Sequence, residues 1–300
     1  MDRRRSLALA GALIVGTFFV AALGSQAVYG FWTHLDSAEM ETLQLGAVRG
    51  PALPEESEPP RALPLGSGPA GTIEMVSYTT RFEEAGADRA RAHNVHLATQ
   101  RLSGVTIAGG EVLSFNTRVG RRTHDAGYRM APVISGGEIV DGMGGGTCQV
   151  ASTLYAAALL SGLEVVEHRP HSRPSTYIAM GLDATVVWPK VDLKIRNPFP
   201  FPITVGAVAE RGELRVTLWG AERPRQVDLH QLIVGTSGYG ERVLEDPELA
   251  PGTRRVSQRG ARGARIQRTI RITERGRTTE VVDEVRYRAT HRIIRVGQSV

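Results

Sequence analysis

Residues 144–149 read Gly-Gly-Gly-Thr-Cys-Gln and hold the single cysteine of the chain. An apolar run from Val150 to Ser161 follows, and its pattern predicts a helix. The three glycines let the backbone turn tightly and approach another group closely. A thiol at a helix start faces unpaired N–H groups and the positive end of the helix dipole, which favours the thiolate. His171 and Asp183 come next, so the chain order is Cys, His, Asp. A thiol hydrolase needs a nucleophile, a base within hydrogen-bond reach and a carboxylate to orient that base. Cys148, His171 and Asp183 are the candidates, with the helix N–H groups and the Gln149 side chain as oxyanion donors. The same residues also suit a purely structural turn, with Cys148 packed as a small hydrophobe, His171 bonding a backbone carbonyl and Asp183 ending a strand.

Carboxylates offer a second chemistry. Cleavage of a glycan strand needs an acid to protonate the glycosidic oxygen. A lytic transglycosylase can use one acid, because the sugar's own hydroxyl attacks. Asp183 is the first candidate, with Glu138, Asp141 and Glu111 behind it, and Cys148 and Gln149 would then shape the cleft. A third reading has no catalysis. Gly145 and Gly146 in the loop, with Tyr128, Tyr155, Ser172, Tyr177 and an Arg-bearing face, would hold a sugar without cleaving it. His93 and His96 are three apart, as are His168 and His171, but no Cys, His and acid set completes a ligand pattern. No metal or other cofactor is expected.

These residues sit among recognisable elements. Thr72–Thr80 reads as a strand, and Ala87–Ser103 as a helix with Ala92, Val95, Ala98 and Leu102 on one face. Strands are predicted at Glu111–Phe115, Tyr128–Ser135, Glu138–Val140, Leu163–His168, Asp183–Val187 and Val191–Ile195. Gly162 is the expected stop of the helix that follows Cys148. Ile203–Val208 and Glu213–Trp219 form a predicted hairpin around Arg211-Gly212. After Gly220 the texture becomes glycine-punctuated. Ile266, Arg268, Ile270 and Ile272 alternate with Gln267, Thr269 and Arg271, and Glu280–Tyr287 alternates likewise. The predicted fold class is α+β: a mixed α+β domain at 72–220 and a separate, small all-β domain at 221–300 with little room for a catalytic pocket.

The N-terminus predicts a place in the cell. Met-Asp-Arg-Arg-Arg precedes Ser6–Gly30, which has no charged residue and is mostly apolar. At about 1.5 Å per residue such a helix crosses a bilayer core of about 30 Å. The leading arginines keep their side cytoplasmic. The run is longer than a signal-peptide core, which favours a single-pass membrane anchor over residues 1–30, with the rest outside the cytoplasm. Small residues at Leu23–Ala27 leave the alternative of a cleaved signal and a secreted protein. Residues 46–71 are Pro-rich and read as an extended spacer. The formal net charge is +5, and Lys190 and Lys194 are the only lysines. Without aromatic-basic interleaving or a recognition-helix pattern, this Arg-rich balance does not indicate nucleic-acid binding.

Two stretches resemble known families. Residues 77–220 resemble the VanW family domain, through Asn94, Leu113-Ser114-Phe115-Asn116, Val119-Gly120, Gly127-Tyr128 and Ala131. The likeness continues through Gly144–Gln149, Ser152-Thr153-Leu154-Tyr155, His171-Ser172, Tyr177, Gly181–Val186, Asp192-Leu193-Lys194 and Asn197. This chain has His168-Arg169-Pro170 ahead of His171, and His171 is aligned with the family histidine. Residues from about 221 to 298 resemble the G-five domain, through Glu245–Leu249, Gly252, Gly260, Gly263, Gly276 and Val296-Gly297. The resemblances imply a cell-envelope protein whose partner is peptidoglycan or another N-acetylglucosamine-containing glycan. They leave open whether it cleaves and remodels that polymer or only binds it.

Overall fold

The computed structural model describes residues 68–135 and 137–298. The predicted span at 1–30 and most of the Pro-rich spacer lie outside them. Among the described residues no helix is long and apolar enough to cross a membrane.

The fold is mostly β, organised around one buried helix. Strands β1 (Ile73–Arg81), β9 (Glu213–Gly220), β8 (Ile203–Glu210) and β2 (Val105–Ile107) form an antiparallel sheet in that order. Strands β3 (Val112–Ser114), β7 (Lys194–Arg196) and β6 (Glu164–Glu167) form a second sheet. A separate hairpin joins β4 (Met130–Ser135) to β5 (Glu138–Met143). Helix α1 (Arg89–Leu102) buries Ala92, Val95, Ala98 and Leu102 along one stripe, as the spacing predicts. A short helix α2 (Phe115–Val119) is capped by the Ser114 side chain, which accepts the Thr117 N–H at 3.0 Å.

Helix α3 (Thr147–Ser161) is buried almost all round, with Val150, Ala151, Leu154, Tyr155, Ala156, Ala157 and Ala158 in the core. It packs on β1 and β9, on α1 and on β6. Such all-round burial suits the small and apolar side chains of this run. Gly162 ends it as expected: its N–H reaches Leu159 O at 3.2 Å and the Leu163 N–H reaches Ala158 O at 3.0 Å. That pair of bonds is a Schellman closure.

The C-terminal region is more extensive than one hairpin. Strands β10 (Arg225–Ser237), β13 (Gly263–Glu274) and β14 (Arg277–Tyr287) form one antiparallel sheet. Strands β11 (Glu241–Asp246), β15 (Arg292–Gly297) and β12 (Arg254–Gln258) form another, with β11 parallel to β15. The β13–β14 hairpin follows the predicted alternation. Ile266, Arg268 and Ile270 face inward, while Arg265, Gln267 and Arg271 are exposed.

Two expectations are corrected. Asp183–Val187 is not a strand. Residues 181–186 are buried without interruption, so no face alternates. Their backbone bonds go to a loop and to side chains: Ala184 N–H to Ser152 Oγ at 2.8 Å, and Thr185 N–H to Arg169 O at 2.7 Å. The predicted strand at Val191–Ile195 begins only at Lys194, because Val191 instead pairs with Val187 in an isolated bridge.

Candidate active site

The glycine turn sets the thiol. Gly146 has φ +104°, a conformation that side chains rarely tolerate. Gly145 lies so close to β4 that a Cβ there would sit 2.5 Å from Pro132 O and 2.8 Å from Ala131 O. The buried Asn94 side chain clamps this approach. Its Nδ2 donates to Gly145 O and to Arg129 O, both at 2.9 Å, and its Oδ1 accepts the Arg129 N–H at 2.8 Å. Helix α3 thus starts at Thr147, earlier than the apolar run suggests, and places Cys148 in its first turn. The Thr147 and Gln149 N–H groups bond Gly144 O and Gly146 O. The Cys148 N–H has no acceptor among the described residues, which is the ordinary state of a first-turn donor.

The structure brings Cys148, His171 and Asp183 together although the sequence spreads them widely. The His171 imidazole lies near enough to the Cys148 sulfur for each to bias the other's ionisation, while the thiol itself donates to Val186 O at 3.6 Å. Its Nδ1–H donates to Asp183 Oδ2 at 2.7 Å, so Nε2 is the nitrogen left for sulfur. The His171 backbone N–H donates to the same carboxylate oxygen, also at 2.7 Å. His171 and Asp183 are buried, while Cys148 is half-buried. The sulfur also accepts the Val186 N–H at 3.5 Å.

Electrostatics polarise this row. Burial alone would push the Cys148 thiol up, but the neighbouring His171, the Val186 backbone and Arg122 hold it below the ordinary thiol value. Burial disfavours the His171 imidazolium, yet the Asp183 carboxylate and the Cys148 sulfur hold its pKa well above the usual histidine range. Burial would raise Asp183, but its bonds to His171 and Tyr287 hold its carboxyl below the usual range. These directions favour charge separation between Cys148 and His171, with Asp183 ionised behind them. Tyr177 flanks the pair, with its hydroxyl 3.3 Å from Ser152 Oγ and the Arg91 guanidinium 5.8 Å over its ring. Burial keeps the Tyr177 phenol protonated.

Several residues expected to touch substrate do not line an open site. Both amide hydrogens of Gln149 are committed, to Thr80 Oγ1 at 3.0 Å and Arg81 O at 2.9 Å, and its Oε1 accepts from Arg91 at 2.6 Å. It braces α3 against β1 and is not an oxyanion donor. Tyr128 and Tyr155 are 0% and 2% exposed, so neither offers a face to a sugar. The Ser172 hydroxyl is buried without a partner among the described residues. His93 bonds Gly127 O at 2.9 Å and His96 pairs with Glu84 at 3.2 Å.

His168 serves the site in its neutral form. Its Nε2–H donates to Asp183 O at 2.8 Å, and its ring stacks on Tyr155 at 3.9 Å and 8°. Burial pulls its pKa down to about 4. An unfolded histidine titrates near 6.5. Below that pH the unfolded chain takes up a proton that the folded chain refuses, so this part of the stability is complete above pH ~6.5 and is lost as pH falls toward 4. Melting temperature should therefore decline across that window, and His168→Gln should flatten the decline. An unchanged slope in the variant would assign it to another group.

The family model described as VanW like protein matches residues 90–219. The uncharacterized protein YoaR of Bacillus subtilis (strain 168) is 36% identical over 151 residues, covering 50% of this chain and 49% of that protein. The vancomycin B-type resistance protein VanW of Enterococcus faecalis (strain ATCC 700802 / V583) is 30% identical over 128 residues, covering 41% of this chain and 46% of that protein. The chain thus spans about half the length of the curated relatives it matches. Among solved structures, the IgA1 protease G5 domain shares 19% identity and covers 25% of this chain and 94% of its own, with a TM-score of 0.18. HP0197-G5 shares 17% identity and covers 24% of this chain and 97% of its own, with a TM-score of 0.15. Residues 90–219, which carry the glycine turn, Cys148, His171 and Asp183, are thus the part of the chain that is similar to the VanW family.

Proposed function

We propose that this chain is a cell-wall-associated thiol hydrolase that cleaves amide bonds in the peptide part of peptidoglycan. The observation that carries this reading is the buried His171–Asp183 pair, bonded at 2.7 Å, with the half-buried Cys148 beside it. In it, the Cys148 thiolate attacks the carbonyl carbon and the Cys148 N–H holds the oxyanion. As the C–N bond breaks, the His171 imidazolium gives its proton to the leaving amine and a thioester remains on sulfur. Neutral His171 then takes a proton from water, the hydroxide opens the thioester, and a carboxylate leaves. Asp183 stays ionised throughout and holds the imidazole in place.

The choice of peptidoglycan rests on the two sequence resemblances and on a relative named for vancomycin resistance. In this reading the C-terminal β region adds affinity for the glycan, and residues 1–30 hold the protein at the membrane with its folded part outside. Glycan cleavage with Asp183 as acid is disfavoured by the site itself. That carboxyl is 1% exposed and held ionised by its donors, so it has no proton to give.

The test is to incubate the protein with purified sacculi and identify soluble products by mass spectrometry. New free amino and carboxyl termini on the wall peptides are expected, and Cys148→Ala should release none. Anhydro-muramyl ends, or a fully active Cys148→Ala protein, would overturn the proposal.

A further inference from the structure

The carboxylate of the row is completed from outside residues 90–219. Asp183 Oδ2 belongs to His171. Asp183 Oδ1 accepts the phenol proton of Tyr287, the last residue of β14. The Tyr287 oxygen in turn accepts the Gly181 N–H at 2.5 Å. Beside it, Arg268 of β13 donates from Nη1 to Gly181 O at 2.6 Å and to the Tyr155 hydroxyl at 2.7 Å. Asp283 holds the rest of that guanidinium through a two-point fork. Both backbone groups of Gly181, two residues before Asp183, are therefore held by the C-terminal sheet. The Arg288 N–H adds a bond to Ser172 O at 3.1 Å, next to His171.

These contacts are unlike those of a spacer that merely abuts its neighbour. Tyr287 is 3% exposed and Arg268 is 6% exposed. Arg268 lies on the inward face of β13 between Ile266 and Ile270, where an apolar residue would serve a self-contained sheet. A buried guanidinium is tolerated because each of its partners is in place. A carboxylate held at one oxygen only can rotate about its Cβ–Cγ bond. Held at both, it presents Oδ2 to His171 in one orientation.

We propose that Tyr287 is a positioning residue of the reaction: by fixing Asp183 Oδ1 it sets the carboxylate that orients His171, and so makes the C-terminal β region part of the catalytic apparatus. This inference rests on the thiol-hydrolase reading of the site.

Full-length wild type, Tyr287→Phe and Gln231→Ala separate the possibilities. Gln231→Ala removes another bond between the same two regions, Nε2–H to Met180 O at 2.7 Å, without touching Asp183. Three readouts are taken: kcat and KM on wall peptides, the rate of Cys148 alkylation by iodoacetamide at pH 6, and the downfield Nδ1–H proton resonance of His171. Loss of one hydrogen bond to a charged group should lower kcat and the alkylation rate by about tenfold. KM should be unchanged and the His171 resonance should shift or broaden. Gln231→Ala should match wild type in all three. If wild-type Cys148 alkylates only at the pH of an ordinary thiol, the triad reading itself fails. If wild type reacts readily at pH 6 and Tyr287→Phe does the same, the triad stands and the positioning role is overturned. If Gln231→Ala falls with Tyr287→Phe, loss of docking in general explains both and the specific role of Tyr287 is overturned. Should Tyr287→Phe not fold, Arg268→Gln, which frees Gly181 O, takes its place in the same assays.

Discussion

Asp183→Asn is expected to lower kcat on wall peptides by about 10³–10⁴-fold, the scale seen when the orienting carboxylate of such a row is neutralised. The change preserves side-chain size, so the circular dichroism spectrum should be that of wild type. What it removes is the negative charge that His171 faces at 2.7 Å. His171 is 6% exposed, and a buried imidazolium without a counter-charge gives up its proton. The Cys148 thiol then loses the positive neighbour that holds its pKa down. The alkylation profile of Cys148 should move toward that of a free thiol, near pH 8.5. Loss of hydrolysis with an unchanged alkylation profile would show that Asp183 does not act through the His171–Cys148 pair.

Gly145→Ala is expected to destabilise the fold by about 3 kcal/mol, through overpacking against groups that cannot rotate away. The added carbon would meet Pro132 O at 2.5 Å and Ala131 O at 2.8 Å. Both are backbone atoms of β4, which is fixed in register with β5 through Ala131↔Gly142 and Pro132↔Asp141. Relief requires the hairpin or the start of α3 to move. Movement of α3 also stretches the Asn94 clamp and displaces Cys148. Denaturant unfolding should report the loss, and Cys148 alkylation at pH 6 should slow. A change below about 1 kcal/mol would mean that the close approach does not constrain the turn.

The chemistry-bearing residues were legible by type and order. Their geometry was not, because His171 and Asp183 meet through loops that carry no periodic signal. Helices α1 and α3, strand β1 and the β8–β9 and β13–β14 hairpins follow from periodicity and turn glycines. Strands β11 and β12 are exposed along most of their length, so they show no alternation to read. The Asp183 segment misled for the opposite reason, being buried throughout with its backbone bonded to Ser152 Oγ and Cys148 Sγ. Tyr128 and Tyr155 suit a sugar by type, yet Tyr155 is followed directly by Ala156, Ala157 and Ala158 in a helix buried almost all round, which is the mark of a core position. Tyr287 lies 104 residues from Asp183, and nothing local announces it. One clue was present: Arg268 interrupts an isoleucine face, and a charge there needs a partner from elsewhere.

Strand β9 ends at Gly220 and β10 begins at Arg225, so only residues 221–224 join the two regions. So short a tether keeps the β13–β14 hairpin beside Gly181 and Asp183 at an effective concentration in the millimolar range. A handful of hydrogen bonds, too weak to hold two free proteins together, then suffices to keep the contact closed. Assembly of the site is a property of chain connectivity as much as of surface fit. Lengthening the 221–224 tether would lower occupancy of the closed state without altering a single contacting residue.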